Sequence, residues 1–359
     1  MLPLIRPDLA DLAAYHVTAL DTTDVPDKLD ANEVSLDLPD WFKLKLGALA
    51  EDQVLSNRYP DGEYTQLKQL LCQYVGHNIA CGQITLGNGS DELIRSLLLV
   101  SCLHQGAILV AEPTFSMYGI LAQTLGIPVV KLRRNETDFA LDLEAAQTAL
   151  NTQHQGQNIK AVFLVHPNSP TGNLLQEKEK QWLQSLPADV LVVIDEAYFE
   201  FSGQTMIPDL AAHPNWLVMR TFSKAFRLAA YRVGYAVGHP DLITALEKVR
   251  LPYNLPTMSY LAAMLATMHR DELLTNIPEV ISERERVYQG LQDIGLDVWP
   301  SSGNFIYARS GGQESDHALL LALAKRGTII RQTGGGLRIT IGTPEENTRL
   351  LERFQYCVG

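Results

Sequence analysis

The sequence predicts an α/β fold with a large domain, built on a mostly parallel sheet flanked by helices, and a smaller α+β domain. Short apolar runs alternate with helical patterns through the middle of the chain, an order typical of parallel strands joined by crossover helices. The run at residues 190–194 is apolar at every position, as in strands buried on both faces. The length of 359 residues allows about two domains.

The predicted elements of the large domain follow one another along the chain. Strands are expected at residues 83–86, 107–111, 128–132, 161–165, 190–194, 216–221 and 234–237. Helices are expected between several of these strands, at residues 92–103, 117–125, 176–185 and 241–250. This repeated order of strand and helix predicts that the large domain occupies residues 41–255.

The character of the sequence changes after Pro256. A long helical stretch around residues 282–286 precedes two short strands and two helices, expected at 304–308, 337–341, 318–325 and 344–355. The N-terminal residues are too irregular to belong clearly to the large sheet. We therefore predict that residues 1–40 and 256–359 together form the small domain.

Composition narrows the classes of function. The formal net charge of −12 argues against a nucleic-acid partner, which would require a basic face. No apolar run approaches the roughly 18 residues of a membrane helix. The N-terminus lacks the features of a signal peptide, and Asp8 and Asp11 are unusual for a transit peptide. The four cysteines form no CxxC pair, so we expect reduced thiols in a cytoplasmic protein without a membrane partner.

Several common catalytic motifs are absent from the sequence. Residues 87–92 begin like a dinucleotide-binding glycine loop, but Glu92 occupies the position of the last glycine. The sequence contains no Walker phosphate loop, no HExxH zinc motif and no GxSxG nucleophile elbow. We therefore expect neither a nucleotide-phosphate loop of these kinds nor a metal site.

Two ionisable residues follow predicted strands. Asp195 comes at the carboxyl end of strand 190–194, where open α/β sheets bind ligands, although an isolated Asp there also suits a helix cap or an ion pair. Lys224 follows strand 216–221 in apolar company, and burial would lower the pKa of its amine and favour nucleophilic chemistry. The alternative for Lys224 is a surface lysine whose stem covers apolar groups.

Two further features suit an anion. Arg232 precedes a predicted strand and could bind an anion through two hydrogen bonds, or could form a structural salt bridge. Gly89, Ser90 and Asp91 link a strand to a helix, where free N–H groups attract anions, unless Ser90 or Asp91 only caps the helix. A phosphate cradle, a strand-end carboxylate, a lysine and an arginine on one sheet are together the set that pyridoxal 5'-phosphate requires.

Nine motifs carry a resemblance to a known family. They are Leu29-Asp-Ala-Asn-Glu33, Arg58-Tyr-Pro60, Gly89-Ser-Asp-Glu92, Glu112-Pro-Thr-Phe115, Pro167-Asn-Ser-Pro-Thr-Gly172, Asp195-Glu-Ala-Tyr198, Arg220-Thr-Phe-Ser-Lys-Ala-Phe226, Tyr231-Arg-Val-Gly234 and Leu337-Arg-Ile-Thr-Ile-Gly-Thr343. In their order and spacing, over nearly the whole chain, the sequence resembles the fold-type I pyridoxal-phosphate-dependent transferases. Among these it is most similar to the histidinol-phosphate aminotransferases.

The resemblance implies a role for each cofactor-binding residue. Lys224 would form the internal aldimine and later move the proton, Asp195 would pair with the pyridinium nitrogen, and Tyr198 would bond the phenolic oxygen. Phe115, where the family more often has Tyr, would stack on the ring. The phosphate would be held by Gly89, Ser90, Asp91, Thr221, Ser223 and Arg232. Tyr59 would reach the phosphate in the neighbouring subunit, which implies a homodimer with shared active sites.

One position departs from the pattern of the family. The family usually has Asn directly before the Pro of Pro-Thr-Gly, and that amide binds the phenolic oxygen. Here the residue is Ser169, and Asn168 precedes it. Either the Ser169 hydroxyl takes the role, or Asn168 swings in, or the bond is lost and Tyr198 acts with less help.

The resemblance also implies a site for an anionic substrate. Arg338 matches the arginine that binds the anionic end of the substrate, and Arg331 matches a second arginine of the histidinol-phosphate branch. Two arginines suit a phosphate better than a lone carboxylate, although Arg331 could instead form a surface ion pair. Tyr15 would also reach the substrate phosphate, and Asn32 would line the site.

The implied activity is transfer of the amino group of L-histidinol phosphate to 2-oxoglutarate, which gives imidazole acetol phosphate and glutamate in L-histidine biosynthesis. Two alternatives keep the fold and the cofactor: an aromatic amino acid aminotransferase and a threonine-phosphate decarboxylase. Some fold-type I domains have a binding role only. The acidic balance and the presence of both Lys224 and Asp195 argue against such a role here.

Overall fold

The computed structural model describes residues 2, 4–7 and 27–358, and the strands of these residues form three sheets. The strands are Asp27–Lys28 (β1), Ile84–Asn88 (β2), Ala107–Glu112 (β3), Val129–Arg133 (β4), Ile159–Val165 (β5), Leu191–Asp195 (β6), Trp216–Thr221 (β7), Val233–Gly238 (β8), Asp297–Trp299 (β9), Phe305–Arg309 (β10), Thr328–Ile329 (β11), Arg331–Thr333 (β12) and Gly336–Thr340 (β13). The helices are Asp40–Gln53 (α1), Thr65–Val75 (α2), Gly89–Ser101 (α3), Met117–Thr124 (α4), Leu143–Leu150 (α5), Glu177–Gln184 (α6), Phe199–Ser202 (α7), Pro240–Val249 (α8), Thr257–Met268 (α9), Arg270–Leu273 (α10), Ile277–Asp293 (α11), Gln313–Lys325 (α12) and Pro344–Val358 (α13).

The largest sheet has seven strands in the order β2-β8-β7-β6-β5-β3-β4. Its strands run parallel except β8, which pairs antiparallel with both of its neighbours. Every residue of β6 and β7 is buried, as the continuous apolar run at 190–194 predicted. The predicted α/β fold is therefore confirmed.

Helices cover both faces of this sheet. Along β6, Val192 belongs to the core on one face and Val193 to the core on the other, because successive strand residues point to opposite sides. Phe42 of α1 and Leu67 of α2 join the first core, and Leu93 of α3 joins the second. The sheet thus lies between two helical layers, with its strand ends free to carry polar groups.

A four-stranded antiparallel sheet, in the order β12-β13-β10-β9, forms the centre of the C-terminal part. Helices α12 and α13 pack against each other and α12 also packs on this sheet. The short strand β1 joins this part of the chain by pairing parallel with β11, Asp27 opposite Thr328. The Asp27 carboxylate accepts hydrogen bonds from Arg349 at 2.6 Å and from Arg353 at 2.5 Å. Residues 27–32 are thereby held beside the small sheet.

The position of α9 bears on the domain boundary expected at residue 255. Leu261 and Leu265 of α9 are buried in the same core as Phe42 of α1 and Leu67 of α2. We therefore propose that the large domain continues through α9, and that the C-terminal part of the small domain begins near α11.

Among the described residues, no helix has the length and apolar character needed to cross a membrane.

Candidate active site

A cavity of about 230 Å³ lies where β5, β6 and β7 end and where the small sheet meets the large one. Its lining contains most of the site residues predicted from the sequence: Ser90, Asp91, Phe115, Ser169, Asp195, Tyr198, Thr221, Ser223, Lys224, Arg232, Arg331 and Arg338. The parallel strands bring these distant segments together because their carboxyl ends share one edge of the sheet.

Asp195 is the last residue of β6 and is only 3% exposed. Its Oδ2 accepts a hydrogen bond from the Tyr118 hydroxyl at 2.8 Å, and its Oδ1 accepts one from the Ala197 N–H at 3.0 Å. Burial raises the pKa of Asp195 to about 6, although both hydrogen bonds oppose this rise. A carboxylate in this position favours a cationic partner, such as a protonated ring nitrogen.

Lys224 follows β7 and lies on the cavity wall, where its Nζ donates a hydrogen bond to the Ala31 carbonyl oxygen at 2.8 Å. Burial lowers the pKa of its amine; the nearby Arg338 and Arg232 cations lower it further, while Tyr198 opposes them. A lysine with a lowered pKa holds more of its amine in the neutral form, which is the nucleophile and the base.

Tyr198 is oriented by Asn32. The Asn32 side-chain amide donates a hydrogen bond to the Tyr198 hydroxyl oxygen at 2.9 Å, so the hydroxyl proton stays available for another acceptor. Asn32 is fully buried, and its own N–H donates to Thr340 Oγ1 at 2.9 Å. The structure therefore places Asn32 behind Tyr198 instead of on the wall where a substrate residue was expected.

The turn between β2 and α3 forms the anion-binding end of the cavity. Helix α3 begins at Gly89, three residues before the predicted start at 92, so Ser90 and Asp91 lie in its first turn instead of capping it. The Glu92 carboxylate accepts a hydrogen bond from the Asn88 N–H and closes the turn. The N–H groups of the first helical turn lack partners within a helix, and here they lie at the cavity.

Arg232 lies against this turn. Gly89 has a φ of 73°, and a Cβ atom there would come within 2.6 Å of Arg232 Nη2. Arg232 donates a hydrogen bond to the Asp91 carboxylate at 3.3 Å, so the Asp91 side chain positions the guanidinium and leaves anion binding to its N–H. The hydroxyls of Thr221 and Ser223, 3.0 Å apart, complete this end.

Arg331 of β12 and Arg338 of β13 face each other as a cross-strand pair. Directly paired residues place their side chains on the same side of a sheet, and both arginines line the cavity. Arg338 also donates hydrogen bonds to the Asp30 carbonyl oxygen at 2.6 Å and to Ser169 Oγ at 3.3 Å. Two adjacent guanidinium groups form a site for a multiply charged anion.

The structure separates Asn168 from Ser169. Asn168 is buried in its loop: its amide nitrogen donates to the Pro113 carbonyl oxygen at 3.0 Å, and its Oδ1 accepts from Arg134 at 3.3 Å. Ser169 lies on the cavity wall, and Asn168 is not part of that wall. The hydrogen-bonding groups of the Asn168 side chain are therefore engaged within the loop.

Among the described residues, Tyr59 is also absent from the cavity wall, as are Asn32, Gly89 and Asn168. Tyr59 is 81% exposed, and its ring stacks on that of Tyr253 with centroids 4.7 Å apart. Tyr15 lies outside the residues that the structure describes. No group of three or more metal-ligating side chains is found within residues 27–358 or the few described before them.

Sequence reasoning missed Tyr118, Thr333 and the Ala31 carbonyl. Tyr118 lies in the first turn of α4, and its hydrogen bond to Asp195 joins residues 77 positions apart in the chain, which the sequence pattern does not reveal. Thr333 contributes to the wall from the end of β12. The Ala31 carbonyl carries no signal in the sequence, because every residue has one.

The fold and the site define a class of protein. A family model described as aminotransferase class I and II matches residues 27–354, which is most of the chain. The chain belongs to the class I and II aminotransferase family.

More specific relatives are similar over nearly the whole length. The chain is 54% identical to a histidinol-phosphate aminotransferase of Synechococcus sp. (strain JA-2-3B'a(2-13)), over 99% of this chain and 98% of the relative. It is 50% identical to that of Trichodesmium erythraeum, with 99% of each chain covered. A solved histidinol-phosphate aminotransferase from Sinorhizobium meliloti, in complex with pyridoxal-5'-phosphate, superimposes with a TM-score of 0.83 at 25% identity, covering 93% of this chain and 91% of that one.

The residues on the cavity wall fit pyridoxal 5'-phosphate, the cofactor of this family. The first turn of α3, Arg232 and two hydroxyls provide donors for a phosphate. Asp195 supplies a buried carboxylate for a protonated ring nitrogen, and Phe115 supplies an aromatic face. Lys224 supplies the amine on the same wall. Each chemical feature of the cofactor thus has a matching group.

Proposed function

We propose that this protein transfers the amino group of L-histidinol phosphate to 2-oxoglutarate, with formation of imidazole acetol phosphate and glutamate in L-histidine biosynthesis. The observation that carries this proposal is the pair Arg331 and Arg338, side by side in the wall that also holds Lys224. A phosphate monoester carries more charge and more acceptor oxygens than a carboxylate, and it can engage both guanidinium groups.

The chain's own groups would bind and activate the cofactor and move the proton. Bound pyridoxal 5'-phosphate supplies an aldehyde that accepts the amine and a ring that takes up electrons from the substrate. We propose that Asp195 stabilises a proton on the ring nitrogen and that Tyr198 donates its hydroxyl proton to the phenolic oxygen. Lys224 Nζ, whose pKa is lowered by burial, would take the proton from the substrate carbon that bears the amine.

Ser169 is the residue that we propose as the additional partner of the phenolic oxygen. Its hydroxyl lies on the wall, and its neighbour Arg338 already donates to it at 3.3 Å. The hydroxyl can therefore accept from Arg338 and donate its own proton toward a bound ligand. This assignment excludes Asn168 from the role, since its amide is engaged in its loop.

Both substrates would use the same arginines in turn. Arg331 and Arg338 would hold the phosphate of histidinol phosphate in one half-reaction and the distal carboxylate of 2-oxoglutarate in the other. A second anion site is not required, because guanidinium groups bind both phosphate and carboxylate.

We also propose a cytoplasmic location.

A homodimer with shared active sites belongs to the same proposal. Tyr59, Leu55, Leu251 and Tyr253 are large apolar or aromatic side chains that lie exposed, Leu251 at 70%. A monomer rarely leaves such side chains together in water, and an interface would bury them. Tyr59 would then reach the phosphate end of the neighbouring site.

Steady-state assays of the cofactor-loaded protein test the proposal. Histidinol phosphate with 2-oxoglutarate should yield glutamate, with a higher kcat/KM than phenylalanine as donor. Threonine phosphate should release no carbon dioxide. A decarboxylase would release it without any keto acid, and an aromatic aminotransferase would prefer phenylalanine, so either result would replace the proposed activity.

An Arg331→Gln variant tests the role of the arginine pair. Loss of a charged hydrogen bond to phosphate should lower kcat/KM for histidinol phosphate about 10- to 100-fold, and that for phenylalanine far less. Arg326→Gln is the matched control, since Arg326 lies over the Tyr356 ring and is not part of the cavity wall. Equal losses for both donors would argue against phosphate binding at Arg331.

A further inference from the structure

Two cysteines outside the active-site cavity lie in contact with each other. Cys72 is in the last turn of α2, and Cys81 begins a short 3-10 turn that leads directly into β2. Their Sγ atoms are 3.2 Å apart, and both side chains are half-buried. Nothing in the spacing of nine residues predicts this contact, because the segment between them is irregular.

The main chain places the two thiols without any cross-link. Gly76, His77 and Asn78 have φ values of 70°, 51° and 57°, and this run of positive φ values turns the chain back along α2. The Gly76 N–H donates to the Cys72 carbonyl oxygen, and the Ile79 N–H donates to the Gly76 carbonyl oxygen, each at 3.0 Å. The turn is therefore formed while both cysteines are reduced.

We propose that Cys72 and Cys81 are a site of reversible disulfide formation with a disulfide oxidant such as oxidised glutathione. The sulfur atoms need to approach by only about 1 Å to reach the length of an S–S bond. A half-buried pair remains within reach of a small oxidant and of a reductant. In a reducing compartment such a disulfide is transient and responds to the thiol balance.

The reaction consists of two thiol–disulfide exchanges. The Cys81 thiolate attacks one sulfur of oxidised glutathione, and one glutathione leaves as a thiolate. The Cys72 sulfur then attacks Cys81 Sγ in this mixed disulfide, and the second glutathione leaves. The two protein thiols lose two electrons to the oxidant, and their two protons end on the two glutathione thiols.

Burial affects the rate of this exchange. Burial, together with the adjacent Cys81 sulfur, raises the pKa of Cys72 to about 12, so the exchange should become faster as the pH rises. The other two cysteines do not compete in the described part of the chain. Cys102 is fully buried beside Ser101, and Cys357 lies in α13.

The cross-link would fasten the end of α2 to the start of β2, the strand that leads into the turn at Gly89. A disulfide across a short loop restricts the unfolded chain more than the folded one, whose geometry already suits it. We therefore expect the oxidised protein to have a higher thermal midpoint than the reduced protein.

The test uses the full chain with its cofactor, equilibrated in buffers of reduced and oxidised glutathione and then quenched with an alkylating agent in denaturant, so that the buried Cys102 also reacts. Peptide mass mapping should show two fewer alkylated cysteines at the oxidising end and a linked peptide pair containing Cys72 and Cys81. Excess dithiothreitol should restore both. Cys81→Ser should abolish the linked pair and the rise in thermal midpoint.

Cys357→Ser is the matched control, and it should keep both the linked pair and the rise. Circular dichroism of each variant shows that it is folded. Four alkylated cysteines at every ratio in the folded protein would overturn the proposal. So would a glutathione adduct on Cys81 that never resolves to a disulfide, or a linkage that involves Cys102 or Cys357.

Discussion

Asp195 shows how one residue depends on its neighbours. The carboxylate is buried at a strand end, which raises its pKa, and Tyr118 and the Ala197 N–H donate the hydrogen bonds that keep it close to ionisation. A cationic ring nitrogen would complete this balance. The strand-end position was visible in the sequence, but the Tyr118 partner depends on how α4 packs against the sheet.

The pH dependence of stability in the cofactor-free protein should report this balance. The pKa of Asp195 is raised from 3.8 to about 6 in the folded state, so the folded protein holds this proton more tightly than the unfolded chain. Asp195 therefore contributes roughly 3 kcal/mol to the free energy of unfolding below pH ~4, and this contribution is lost as the pH rises to ~6.

Asp195→Asn removes the titrating group, so the stability of the variant should change less with pH between pH ~4 and ~6. The thermal midpoint of the variant, minus that of the natural sequence, should therefore grow between pH ~4 and ~6 and then level off. Differential scanning calorimetry of the two cofactor-free proteins measures it. A difference that stays constant over this range would show that Asp195 is ionised throughout.

The sequence predicts some residues of the cavity wall and leaves others open. Lys224, Asp195 and Arg232 were predicted because strand ends and motifs place them, and all three lie on one wall. The sequence leaves the choice between Asn168 and Ser169 open, and the hydrogen bonds of the Asn168 amide inside its loop support the proposal of Ser169. Such choices depend on long-range contacts, which one chain segment does not encode.

At the scale of elements, the turn between β2 and α3 connects backbone conformation to ligand binding. Gly89→Ala should lower the affinity for pyridoxal 5'-phosphate about 10- to 100-fold, because the new Cβ would displace Arg232 and remove a charged hydrogen bond. Quenching of intrinsic fluorescence during cofactor titration measures this affinity.

Gly203→Ala is a close control for that substitution. Gly203 has a φ of 65°, near the 73° of Gly89, but nothing lies within 4 Å of its added Cβ. Both variants should lose about 1 kcal/mol of stability from left-handed strain, and only Gly89→Ala should bind the cofactor less tightly. Equal affinities in the two variants would mean that Arg232 does not contact the cofactor phosphate.

The ends of β6 and β7 are joined by a buried ion pair. Arg220 donates to the Glu196 carboxylate at 2.9 Å, and both side chains are almost completely buried. Arg220→Met leaves the Glu196 charge unpaired and should cost about 3–5 kcal/mol of unfolding free energy in denaturant titration. Adding Glu196→Gln should recover part of this loss.

The exposed ion pair between Lys131 and Glu112 serves as a comparison for the buried pair between Arg220 and Glu196. Lys131→Met breaks the ion pair with Glu112, whose side chains are both about half exposed, and should cost less than about 1 kcal/mol. A loss for Arg220→Met no larger than this would show that water reaches the buried pair.

The pattern of apolar residues predicted the strands of the large sheet better than it predicted the helices. The seven strands of the large sheet all lie within two residues of their predicted ends, because continuous apolar runs are distinctive. Helix α9 was missed because it is buried on nearly all sides and so lacks an amphipathic period. Helix α1 was missed for the opposite reason, since only Phe42 and Leu46 are buried.

At the scale of the whole molecule, the exposed patch around Tyr59 makes the proposed dimer testable. Leu251→Glu places a charge among apolar side chains and should shift the protein from dimer to monomer in light scattering. Cofactor affinity should fall with it, because Tyr59 would no longer reach the neighbouring site. Leu321→Glu, an exposed position on α12, should remain dimeric; dissociation of both variants, or of neither, would place the interface elsewhere.

The fold class could be predicted for the whole molecule, whereas the relation between its two parts could not. The sequence predicts that the small domain begins at residue 256, whereas the core that α9 shares with α1 and α2 supports a boundary after α9. Chain order alone does not determine which core a helix joins. Contacts such as that of Asp27 with Arg349 also join residues far apart in the sequence.

The most direct test of the proposed activity is the visible absorbance of the protein loaded with pyridoxal 5'-phosphate. L-Histidinol phosphate is added without a keto acid, and 2-oxoglutarate follows. We expect the visible band to bleach with the amine and to return with the keto acid, since the two half-reactions share one site. An unchanged band after histidinol phosphate, in protein that bleaches with phenylalanine, would contradict the proposed donor.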